Sequence, residues 1–180
     1  MQTSKISYRL FIFLFTLFSV TAFAQSSNSP KTYHVTHVVD GDTFDATDGH
    51  LTFRVRMAAV DAPESKQDFG QWATTELRNL IENKDVAIEP AGKKGLDKFN
   101  RILARIFIKE QDVSLMMVEK GLATYYRPRC NDFPEDKKLY PYDPRPYVEA
   151  ESRARSTHTG IWSRNNFQLP CAYRKKNQRH

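Results

Sequence analysis

The stretch Leu51–Ala59, LTFRVRMAA, alternates without a break. Leu51, Phe53, Val55, Met57 and Ala59 fall on one side of an extended chain, and Thr52, Arg54 and Arg56 on the other, because successive side chains of a strand point to opposite faces. Such a segment is a half-buried strand with two arginines on its wetter side. It demands strand partners, and the chain offers them. Asp48-Gly49 just before it is a hairpin signal, and Thr43–Ala46 reads as the start of the strand on the far side of that turn. YHVTHVV (33–39), DVAIEP (85–90) and RILARIFI (101–108) read as three further strands.

Helices fill the intervals. Between Gly70 and Glu82, Ala73, Leu77, Leu80 and Ile81 recur at helical spacing and form one apolar face. Asp112 can cap a short helix running to Lys120, with Gly121 ending it. Tyr147–Ser156 reads as a third helix through Val148, Ala150 and Ala154. Residues 91–100, AGKKGLDKFN, form a loop. Residues 127–146 hold five of the nine prolines and read as a surface loop rather than a linker. The pattern suggests a small α+β domain; five short strands can close into a barrel, and the oligonucleotide/oligosaccharide-binding (OB) barrel is one well-known small solution.

The chain has 180 residues, enough for one domain. Residues 1–24 have the marks of a cleaved signal peptide: Lys5 and Arg9, an apolar run over 10–20 too short to span a bilayer, then Ala22-Phe23-Ala24. The mature domain is then 25–180 with a core over about 33–162, secreted or periplasmic, with no stable membrane association. Removing that leader lowers the net charge from +6 to +4, a modest excess that suits an anionic partner. The basic tail RKKNQRH reads as a frayed, solvated end. In an exported protein Cys130 and Cys171 can form a bridge, worth ~4 kcal/mol on the chain-entropy account, or remain two thiols. The five histidines show neither metal-ligand nor triad spacing. Trp72 and Trp162 read as packing residues.

Two acidic clusters, VVDGDTF (38–44) and VDAPE (60–64), interrupt these strands. Asp40, Asp42 and Asp61 offer oxygen ligands of the kind hard cations select, although Asp-Gly-Asp alone is also an ordinary turn. Glu64 is a further carboxylate beyond Pro63; Arg56 precedes Asp61, and Arg101 opens the fifth strand. Carboxylates for a cation, one to act on water and two arginines make a coherent set for cleaving a phosphodiester. A plain hairpin about Asp48-Gly49 sets Asp42 opposite Val55, on the order of 20 Å from Asp61, so a bulge, a different turn or barrel coiling must close the gap.

With VVDGDTF, RMAAVDAPE, DKFNR, EKGLATYY and a closing GIW in that order, the chain resembles the staphylococcal nuclease-like (thermonuclease) family over about residues 33–162. The resemblance implies an OB barrel with three helices that cleaves DNA and RNA with calcium. It implies that Asp42 and Asp61 bind calcium through their carboxylates and Ala62 through its backbone carbonyl, with Asp40 supporting them from behind. Glu64 would act on the attacking water, Arg56 and Arg101 would grip the phosphate, and Lys98 with one of Tyr125 or Tyr126 would line the nucleotide pocket. Phe99 departs from the family pattern, and 127–146 is longer than it. The implied protein is a monomeric, sequence-tolerant nuclease. A non-catalytic OB-fold nucleic-acid-binding module is the alternative, and a calcium-stabilised structural domain a third that leaves Arg56 and Arg101 without a task.

Overall fold

The structure, a computed structural model, describes residues 31–91, 95–97, 99–127, 130 and 142–177. The expected leader, Lys98 and most of the proline-rich segment lie outside the described residues.

Strand β1 (Thr32–Asp40) pairs antiparallel with β2 (Thr43–Thr47). Its register slips between Val35 and His37 and again between Val38 and Asp40. These bulges bend the strand, so Val35 and Val38, three apart, both face the core. β3 (Thr52–Met57) pairs with β2 from Thr47↔Thr52 to Thr43↔Arg56. The turn between them is set by Asp48, whose carboxylate accepts the N–H groups of His50 and Leu51. Leu51 sits in that turn and is 70% exposed, so the inward face of β3 is Phe53, Val55 and Met57.

After β4 (Val60–Asp61), helix α1 (Gly70–Ile81) lies against β1. It buries Ala73, Thr74, Leu77 and Ile81, close to the expected stripe. β5 (Asp85–Pro90) and β6 (Ile102–Ile108) form an antiparallel pair, and β5 also pairs with β1. The parallel pairing of β3 with β6 (Val55↔Ile102, Arg56↔Leu103, Met57↔Ala104) joins the ends of the sheet. β1, β2, β3, β5 and β6 thus form a closed five-stranded OB barrel filled by Val35, Val38, Phe44, Val55, Met57 and Ile106. The short β7 (Gln111–Asp112) turns back to pair antiparallel with the end of β6.

Asp112 caps α2 (Val113–Glu119), accepting the Leu115 N–H at 3.1 Å, and β8 (Thr124–Tyr125) pairs with β4. α3 (Arg145–Ser156) begins two residues earlier than Tyr147, with proline in its first turn, and is followed by a 3-10 turn, Gly160–Ser163. Two expectations change. Among the described residues there are four α-helices rather than three: the first part of the tail read as frayed, residues 174–177, lies in α4 (Pro170–Asn177). Trp72 is not a packing residue; it is 65% exposed and touches Phe69 edge-on.

Candidate active site

The acidic turn between β1 and β2 is folded on itself: Asp40 Oδ1 accepts the N–H of Asp42 at 3.0 Å. Gly41 lets that turn settle on its neighbours, since a Cβ there would lie 2.7 Å from the Cβ atoms of both Ala62 and Ala73. The close approach brings the Ala62 N–H to Asp42 Oδ2 at 2.8 Å. The distance problem posed by a simple hairpin is solved by a reversal. The Met57 N–H donates to the Asp42 carbonyl, so Asp42 faces Met57, two residues beyond the hairpin count. The chain then turns back at Ala59, in the left-handed region at φ 70°, and β4 leaves the barrel. Pairing of Asp61 with Thr124, and the Thr124 hydroxyl donating to the Asp61 carbonyl at 3.2 Å, fix Asp61 beside Asp42.

Arg56 stands between the two aspartates. Its Nη1 donates to the Met57 carbonyl at 2.6 Å and its Nη2 to the Val60 carbonyl at 2.9 Å. The same Nη2 lies 3.1 Å from Asp42 Oδ2 and 3.3 Å from Asp61 Oδ1. Expected to grip a phosphate, Arg56 here also braces the acid pair. Arg101, just before β6, is more open. Its side chain is 25% exposed, against 11% for Arg56. Asp97 holds it through Nε at 2.8 Å and Nη2 at 2.6 Å, and also accepts the amides of Phe99 and Arg101. Asp97 is in the quoted motif DKFNR, but nothing in its spacing distinguished it from any turn-forming acid.

Glu64 sits on a tight turn into α1. The Gln67 N–H donates to the Glu64 carbonyl, and a Cβ on Gly70 would fall 1.9 Å from that same oxygen. From the other end of the chain comes a residue the sequence did not disclose. Arg174 of α4 donates from Nη2 to both oxygens of Asp61, at 2.9 and 2.8 Å, and from Nη1 to Glu64 Oε1 at 2.7 Å. A basic tail without apolar periodicity gives no signal for such a contact.

These side chains meet at one cleft of about 450 Å³, lined by Asp40, Asp42, Arg56, Glu64, Arg101 and Arg174 among others. Asp61 lies against it through Arg56 and Arg174. Of the two candidate tyrosines, Tyr126 lines the cleft; Tyr125 does not, because the neighbouring residue of a strand points the other way, and it is buried against Tyr147. Burial and the adjacent Asp42 charge push Asp40 up to about 6. Burial also raises Asp61, against the lowering effect of Arg174 and Arg56.

The donor set suits a hard divalent cation. Among the described residues, Asp40, Asp42, Asp61, Glu64 and Asp97 outnumber Arg56, Arg101 and Arg174 around the cleft. Among the described residues no three acidic, histidine or cysteine side chains converge in a ligand cluster. Asp42 and Asp61 would therefore share an ion with backbone oxygen and water.

A small OB barrel with two aspartates, a more open glutamate and arginines at one cleft carries the groups that phosphodiester cleavage calls for. The model of the family described as staphylococcal nuclease homologue matches residues 54–164. An endonuclease of Haemophilus influenzae is 32% identical over 157 residues, covering 87% of this chain and 80% of that protein. A micrococcal nuclease of Shigella flexneri is 32% identical over 150 residues, 78% of this chain and 79% of that one. An Escherichia coli endonuclease is 32% identical over 144 residues, 79% and 84% respectively. The chain belongs to the staphylococcal nuclease homologue family.

Proposed function

We propose that this nuclease is an exported, monomeric, calcium-dependent enzyme that hydrolyses phosphodiester bonds of DNA and RNA with little sequence preference, in a single domain behind a cleaved leader. The observation that carries the reading is the convergence of Asp42, Arg56, Asp61, Glu64 and Arg101 on one cleft from separate strands and loops. The charged groups of the cleft suit phosphate rather than base edges, which fits sequence tolerance. Among the described residues no helix is long and apolar enough to cross a membrane.

Asp42, Asp61 and the Ala62 carbonyl would hold the calcium ion, which when bound neutralises and polarises the phosphate. Arg101, aimed by Asp97, binds a non-bridging oxygen and stabilises the charge that grows there in the transition state. Arg56 fixes the spacing of the two aspartates and lines the same cleft. Glu64, more exposed than either aspartate, takes the proton of the attacking water as its oxygen bonds to phosphorus; the phosphorus–oxygen bond to the leaving sugar breaks, and that oxygen is protonated. Tyr126, which lines the cleft, would contact the nucleotide.

Incubation of the purified protein with plasmid DNA and with RNA, with calcium or with excess chelator, tests the assignment. Both substrates should be degraded with calcium and left intact with chelator. Undiminished cleavage in chelator would remove the metal from the mechanism. Salt-sensitive binding without cleavage under any divalent ion would make the protein a binding module.

A further inference from the structure

Arg174 lies outside the matched family segment, on a helix built unlike the rest of the molecule. Of the eight residues of α4, Pro170 alone is buried. The helix is docked by polar contacts instead. Gln67 Nε2 donates to the Gln168 carbonyl just before it, and the Tyr173 hydroxyl donates to the Lys66 carbonyl at 3.4 Å. Both contacts fall on the turn that follows Glu64. An element held by few apolar contacts detaches at far lower free energy than a core strand.

What this helix delivers is a positive charge at the cation seat. One Arg174 nitrogen engages both oxygens of Asp61, and the other engages Glu64. A divalent ion on Asp61 and an attacking water on Glu64 require those same oxygens. One turn before Arg174, burial and the neighbouring Cys130 push the Cys171 thiol up to about 12. Both cysteines are free thiols in the structure.

We propose that α4 is a built-in competitor for the metal seat: Arg174 occupies Asp61 and Glu64 until a divalent cation displaces it, and a Cys130–Cys171 bridge sets how readily it leaves. The proposal rests on the reading of Asp61 as a metal ligand. The cation binds only the state from which Arg174 has withdrawn, so its apparent affinity falls by the fraction of molecules in that state. Bridging removes two protons and two electrons from the thiols and forms one S–S bond; a small-molecule disulfide such as oxidised glutathione accepts the electrons and is reduced to thiols. The bridge ties α4 to the segment after β8, raising the effective concentration of the guanidinium at the acids.

Calcium titration by calorimetry, without nucleic acid, on the mature chain in its oxidised and reduced forms tests this. Oxidised Arg174→Ala should bind calcium at least about tenfold more tightly than oxidised wild type, about 1.4 kcal/mol. Arg174→Gln, which keeps length but not charge, should move the same way and serves if the alanine variant does not fold. Reduction should tighten binding to wild type several-fold and leave Arg174→Ala unmoved. Equal or weaker calcium affinity in Arg174→Ala overturns the proposal, as does unchanged affinity with lost cleavage, which would make Arg174 a phosphate contact. An equal effect of reduction on both proteins overturns the tether. If neither protein binds calcium, the metal assignment itself fails. Binding to wild type that Asp61→Asn abolishes and Arg174→Ala leaves unchanged retains the metal and rejects the competitor.

Discussion

Glu64 and Asp61 are near neighbours with unlike surroundings. Asp61 has a side chain 3% exposed and bears on Arg56 and Arg174, whereas that of Glu64 is 37% exposed. Only the second is open to water, so on the proposed role Glu64→Gln should lower kcat by about 100- to 10,000-fold. DNA affinity should stay within about threefold, because the variant keeps the shape and removes a negative charge from the cleft. Initial rates in calcium, set against equilibrium binding in chelator, separate the two; parallel losses would make Glu64 a binding group. Asp97 acts at one remove, holding the Arg101 fork in place. Asp97→Asn should lower kcat/KM by about 10- to 100-fold, as misplacing a catalytic group does. The loss should vanish in an Arg101→Lys background, where no fork remains to be aimed. Full additivity in that double-mutant cycle would deny Asp97 the role. The principal acids and arginines were legible because each sits in a short ordered motif. Asp97 and Arg174 were not, because a turn-forming acid and a basic tail have the same composition whether or not they reach the site.

The elements that carry these residues depend on a few close contacts. Gly41→Ala would drive a methyl into Ala62 and Ala73 and push the Asp-Gly-Asp turn off both. A loss of about 1–3 kcal/mol is expected, the range for overpacking, measurable by urea unfolding. An unchanged midpoint would show that the turn shifts freely. Helix α3 is tied to β8 by Glu151, which accepts the Tyr125 N–H at 2.7 Å and pairs with Arg127 and Arg155 at 2.8 Å each. Burial works to raise this carboxyl, but Arg127, the Tyr125 amide and Arg155 together carry it below the usual range. A depressed folded value means that the stabilisation is present above the ordinary 4.5 and is lost as pH falls through the folded value. Glu151→Gln should therefore destabilise the protein by about 3 kcal/mol near pH 7, as one-sided removal of a buried ion pair does. The difference from wild type should shrink as pH falls below the ordinary 4.5 and through the folded value, a convergence that urea titrations at several pH values would reveal; a gap constant with pH would exclude the ionic tie. Most elements were legible, since α1, the cap at Asp112 and the alternation of β3 follow from local chemistry. What escaped arises from long-range fit. The reversal at Ala59 makes sense only once β4 has β8 to pair with, and α4 has no apolar stripe because it docks through polar contacts.

At the scale of the whole molecule, the chain is basic, with a net charge of +6, yet it gathers an acid-rich cleft from segments far apart in sequence. Folding against that charge has a consequence that can be measured without substrate. The unfolded chain does not bring Asp42 and Asp61 together, so on the proposed reading calcium would bind the native state alone and stabilise it by mass action. With two carboxylates supplied by the protein, affinity should resemble that of weak extracellular calcium modules, about 1 mM. Ten millimolar calcium should then add about 1.4 kcal/mol of stability, RT ln(1 + [L]/Kd), and raise Tm by about 3–6 °C for a domain of this size. Differential scanning calorimetry in calcium, against sodium chloride of equal ionic strength, isolates the effect from screening. Asp42→Asn should abolish the rise in Tm whatever it does to the starting value, because it would remove one of the two proposed anionic ligands. The same rise in that variant would place the ion elsewhere on the surface. A rise that saturates at micromolar calcium would require a ligand shell far fuller than two aspartates and backbone oxygen provide.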